Sequence, residues 1–152
     1  MHTLVRSLAF FAGVVVLSAA HAPVNNPIDV VVTGGPYAGS YKSDPADSYC
    51  MHSTKHDILS PSWQSAKQGV GSKEFTGVGI DVSQFKGAAT KTADVHVAFG
   101  DLQKKPFMYE LRNAPVTMTR SGKVILLTIQ GKTTQGVQLK VTASCGTFDE
   151  VP

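Results

Sequence analysis

"TRSGKVILLTIQGKTTQGVQLKVTASC", residues 119–145, decides the fold. Ser121-Gly122 supplies one tight turn and the stretch from Gly131 to Gly136 supplies a second. Between them Val124 to Ile129 is almost wholly apolar, the pattern of a strand covered on both faces. After the second turn Val137, Leu139 and Val141 alternate with polar residues as far as Cys145, the period of a half-buried strand. Three strands joined by short turns make an antiparallel meander.

The same period runs outward from this core stretch. "ADVHVAFG" sets Val95, Val97 and Phe99 against His96 and Ala98, and "FMYEL" sets Phe107, Tyr109 and Leu111 against Met108 and Glu110. "GVGIDVSQF" sets Val78, Ile80 and Val82 against Gly79 and Asp81. "PIDVVVTGG", "YAGSYKS" and "SYCMHS" add shorter strands. Seven to nine strands in one chain predict an all-β domain, a single antiparallel sandwich of the immunoglobulin-like kind over residues 28–148, with a small barrel as the alternative. One helix is expected near 61–68. In "SPSWQSAKQG" Ser60 stands as N-cap, Pro61 at the first helical position and Gly69 as the stop. Residues 149–152 read as a tail.

The start of the chain has a different character. Arg6, an apolar run from Leu8 to Leu17 and then small residues form the pattern of a secretory signal peptide over residues 1–20, with a cut after residue 22 as the alternative. The run is too short to span a bilayer, which takes roughly 20 apolar residues. An extended segment over 21–27 would follow. The expectation is an exported protein, extracellular or periplasmic, that does not span a membrane. Cys50 and Cys145, an even pair in an oxidising compartment, then predict a disulfide.

Composition excludes several functions. Without Arg6 the 14 basic residues fall to 13, scattered along the chain with no basic stripe, so nucleic acid is not an expected partner. There is no G-x-S-x-G elbow and no phosphate-cradling glycine loop, which points away from an enzyme. No cofactor is called for, and the oligomeric state is not set by the sequence.

The remaining chemistry lies in histidines and aromatics. A cut after Ala20 would leave His21 at the N-terminus, where its α-amino and ring nitrogens can chelate copper together with one further imidazole from His52, His56 or His96. In that one residue the predicted start "HAPVNN" resembles secreted copper proteins of the lytic polysaccharide monooxygenase and copper-carrier classes. The resemblance implies a carrier or oxidase as the alternative function. In "CMHSTKHD" His52 and His56 lie four apart, but a loop would strip that spacing of its helical meaning. Tyr37, Tyr41, Asp57 and Trp63 are the candidates for a surface that binds a carbohydrate or protein ligand, since aromatic rings combine apolar faces with polar edges. The leading expectation is a non-catalytic binding or envelope-associated module. The intact mass of the exported protein checks the reading of the leader: a chain that starts at His21 is expected, and one that starts at Pro23 or later removes the N-terminal histidine.

Overall fold

The computed structural model describes residues 27–152; the expected signal peptide, both cut sites, His21 and all of the 21–27 segment except Pro27 lie outside the described residues. Ten strands follow in chain order: β1 Ile28–Thr33, β2 Gly39–Lys42, β3 Tyr49–Ser53, β4 Ile58–Gln64, β5 Phe75–Ser83, β6 Lys91–Phe99, β7 Phe107–Ser121, β8 Val124–Lys132, β9 Gln138–Cys145 and β10 Asp149–Val151. The all-β expectation holds. Among the described residues there is no helix, and so none long and apolar enough to cross a membrane.

Hydrogen bonding runs unbroken through one curled sheet in the order β10-β3-β4-β5-β6-β7-β8-β9-β1-β2. The architecture thus lies between the sandwich and the barrel. The fifteen-residue β7 makes the bend: its first part pairs with β6 and its last part, from Val116, pairs with β8. A bulge opposite Asp94, where Asn113 adopts φ 49° and donates its N–H to the Asp94 carboxylate at 2.8 Å, kinks the strand before the handover. Every neighbouring pair is antiparallel except β10 with β3, which is parallel.

Alternation fixes which face is which. Val95, Val97 and Phe99 are fully buried, as are Leu59, Val82, Leu127, Ile129 and Val141, and together they form one apolar core inside the curl. Tyr109 joins them. Each large aliphatic side chain taken from water in this way contributes roughly 1.5–3 kcal/mol. Cys50 on β3 and Cys145 on β9 are bonded across this core, their Cα atoms 5.9 Å apart, so the disulfide ties one wing of the sheet to the other.

Three expectations are corrected. The helix near 61–68 is absent; Pro61, Ser62 and Trp63 lie in β4, paired with β3 at Cys50↔Pro61 and Tyr49↔Ser62. Pairing of β4 with β5 skips Ser60 and Pro61, which removes the need for the N–H that proline lacks, and the Ser60 hydroxyl instead donates to the Asp81 carboxylate at 2.6 Å. β8 is buried on one face only, with Leu126 exposed, because the curl leaves its outer face uncovered. The expected tail supplies β10.

The cross-wing bond closes a loop of about 95 residues, for which the chain-entropy account gives a loss of roughly 2–5 kcal/mol on removal. Unfolding of a Cys50→Ala/Cys145→Ala double variant in denaturant is expected to show a loss of that size, against no change if the bond is idle.

Candidate functional site

The residues of the first wing that point away from the core form aligned rows, because each register position faces its neighbour across the strands. One row runs Tyr49, Ser62, Gly79, His96, Glu110 over β3 to β7, and the next runs Gln64, Gly77, Ala98, Met108 over β4 to β7. Their centre has almost no side chains. Gly77, Gly79 and Ala98 make a floor, while Tyr49, 54% exposed, and Met108, 38% exposed, stand at its margins. Leu102 and Pro106 from the β6–β7 loop add to the wall, enclosing a trough of about 440 Å³.

Glycine inside a strand weakens it by roughly 0.5–1 kcal/mol against alanine and marks a bulge, a bend or a close approach; Gly77 borders the register shift between β5 and β6, while Gly79 lies in regular pairing. Neither Gly77 nor Gly79 has a positive φ, so no turn or strain demands it. A Cβ at Gly79 would meet nothing within 4 Å, and one at Gly77 would make ordinary contacts from 3.5 Å to the Trp63 carbonyl. The fold therefore has no steric need for either glycine.

The trough is lined without a lysine, arginine, aspartate or glutamate; His96 is its one titratable group apart from Tyr49. Among the described residues three buried side-chain polar atoms lack a hydrogen-bond partner, and one of them, His96 Nδ1, belongs to the outer face that forms the trough; Trp63 borders the trough through its backbone, and its ring lies on the core-facing side of β4. His96 Nδ1 lies 3.6 Å from the Glu110 carboxylate, an electrostatic contact too long for a hydrogen bond. Glu110 is held in turn by Arg112 at 3.2 Å. Such a surface suits an uncharged ligand that has apolar faces and polar edges.

The expected ligand residues do not form one patch. Tyr41 and Trp63 both meet Phe75, at 5.4 and 5.0 Å between ring centroids, and line a second cleft of about 770 Å³ with Lys42 and Lys67 at its rim. Tyr37 stacks on Phe107 at 4.6 Å and accepts the Tyr41 hydroxyl hydrogen on its carbonyl at 2.8 Å. Asp57 is at the far end of β4 from Trp63. It caps the turn before β4 with φ 52° and accepts the N–H groups of Lys86 and Gly87 at 2.9 Å each.

The candidate metal ligands separate in the same way. His52 is buried on β3, its side chain 2% exposed, with Nε2 3.3 Å from Asp57 and Nδ1 3.4 Å from Glu150. His56 is exposed in the turn and His96 faces the trough. Among the described residues no group of three or more His, Cys, Asp or Glu side chains is arranged to hold a metal ion. The copper reading depends on His21, which lies outside them. A signal for the trough does stand in the sequence, two glycines two apart on one face of "GVGI". Comparison with protein-family models, curated proteins and solved structures finds no match for the chain.

Hydrogen bonds and charge set the acid behaviour of the His52 cluster. The Lys86 N–H, then the Gly87 N–H and His52, hold the Asp57 carboxyl below its ordinary range, and the Lys86 ammonium, then His52, does the same for Glu150. Folded values below the unfolded ones mean that this stabilisation is complete above the unfolded values and is lost as pH falls through the folded ones. The thermal midpoint is expected to drop below about pH 4. Asp57→Asn should lower the midpoint at neutral pH and flatten the acid limb; an unchanged limb in both calorimetric profiles contradicts the assignment.

Proposed function

We propose that this chain is an exported, disulfide-stapled, non-catalytic binding module that takes a neutral carbohydrate in the trough over β4 to β7. The observation that carries this reading is a recess lined without formal charge and floored by glycines, of which Gly79 has neither a steric nor a backbone reason in the fold. A sugar ring has the matching chemistry, with C–H faces that pack on aromatic rings and hydroxyls that exchange hydrogen bonds. The exposed Tyr49 ring supplies the stacking face. Ser62, Gln64 and His96 supply donors and acceptors from the floor and its margin. Export is supported by the apolar leader pattern and by the Cys50–Cys145 bond, which persists in oxidising compartments.

Gly79→Val tests the reading because it separates ligand binding from folding. The valine methyls would enter the trough, while the extended backbone accepts a β-branched residue and no protein atom stands within 4 Å of the new Cβ. Stability is expected to stay level or rise by about 0.5–1 kcal/mol. Retention on insoluble cellulose, xylan and chitin, and affinity for their soluble neutral oligosaccharides, is expected for the parent chain and lost in Gly79→Val. A parent chain that none of these glycans retains, or a variant that binds them equally well, overturns the proposal.

A further inference from the structure

The sheet order leaves β10 and β2 as its two edges, and the β10 edge is built unlike the rest. β10 has three residues where strands commonly have five or six, and its pairing is parallel, the weaker geometry per residue. Asp149 and Glu150 are exposed and Val151 is half-buried, so little apolar area keeps the segment in place. Besides Phe148 just before it, what holds β10 is a set of polar contacts made by the rest of the fold. The Val151 carbonyl accepts both the N–H of Thr54, at 2.8 Å, and its hydroxyl, at 3.1 Å. Glu150 lies in register with His52, and its Oε1 is 3.0 Å from Lys86 Nζ and 3.4 Å from His52 Nδ1.

The members of the carboxylate pocket other than Glu150 come from outside β10. His52 is on β3, walled by the Phe85 ring at 5.1 Å, with its other nitrogen facing Asp57, and Asp57 is anchored by the N–H groups of the loop that carries Lys86. The Lys86 ammonium, the His52 ring, a fixed backbone clamp and a strand edge together make a receptor for an extended acidic segment. Phe148, at 6.0 Å from both His52 and Phe85, adds an aromatic plug one residue before the acidic pair.

We propose that the edge of β3 is an acceptor site for an extended acidic segment of a partner protein, of the pattern aromatic-acid-acid-aliphatic, and that β10 fills this site in cis. Strand addition supplies main-chain hydrogen bonds, and the pocket for the second acidic side chain supplies selectivity. A partner must displace β10, so the cis segment sets the threshold for capture. This site is separate from the trough, and neither proposal depends on the other.

The test uses the full chain carrying Glu150→Gln, whose own segment holds its pocket less tightly, titrated with the synthetic hexapeptide of residues 147–152, "TFDEVP", while backbone amides are followed by NMR. Saturable shifts are expected at Met51 to Thr54 and at Lys86 and Gly87. The same peptide with glutamine in place of the glutamate should bind about tenfold more weakly, the effect of removing a charge-assisted hydrogen bond. The parent chain should respond more weakly than the variant, because its own Glu150 competes. The absence of shifts at these amides with millimolar peptide, equal binding by the glutamine peptide, or an equal response from the parent chain overturns the proposal.

Discussion

A single sheet must cover one of its own faces or leave its apolar residues in water, and this chain does so by curling until its wings meet. The Cys50–Cys145 bond spans that meeting point, joining the second strand of the sheet order to the eighth. The other features follow from this closure. The inner face takes the valines, leucines and aromatic rings; the outer face is released from packing duty and is free to carry chemistry. The kink of β7 at Asn113 is the hinge of the curl, because one continuous strand has to serve both wings.

Release from packing explains why the outer face of β5 can hold glycine where its inner face holds Val78, Ile80 and Val82. The inner residues keep the strand in place through burial, offsetting the weak local preference of Gly77 and Gly79. The same separation of faces puts His96 in the trough while Val95 and Val97 on either side of it are wholly buried. Across the molecule, the ends of the curl are closed in two ways. Rings of Tyr37, Tyr41, Phe75 and Phe99 pack against one another in one group, while the His52, Asp57, Glu150 and Lys86 cluster stands with Phe85 and Phe148 in another.

Much of the fold was legible because burial has a period. Val95, Val97 and Phe99, and the run from Val137 to Cys145, show in sequence the alternation that the sheet shows in space. Parity of the cysteines, together with the leader pattern, was enough to pair them. The helix expected near Pro61 failed because capping preferences of Ser60 and Pro61 are local and weak, while β3 and β5 offer β4 a ladder on each side. β10 was invisible for the opposite reason: three residues carry no period, and their partner lies about a hundred residues away in the chain. In the site, His96 was visible as a candidate, whereas the Trp63 ring turns to the core. The trough itself was not visible, since a recess made by missing side chains leaves no chemical group to notice, while Tyr37, Tyr41 and Asp57, candidates by residue type, lie elsewhere.

On the proposed reading, the bare centre of the outer face is kept open for a neutral sugar. Amide and side-chain shift mapping of the parent chain with cello-, xylo- and chito-oligosaccharides addresses it residue by residue. Shifts are expected to concentrate at Gly77, Gly79, His96 and Met108, with the Trp63 indole N–H, β8 and β9 silent. Shifts centred on the Tyr41 and Lys67 cleft instead, or none with any of the three series, would contradict it.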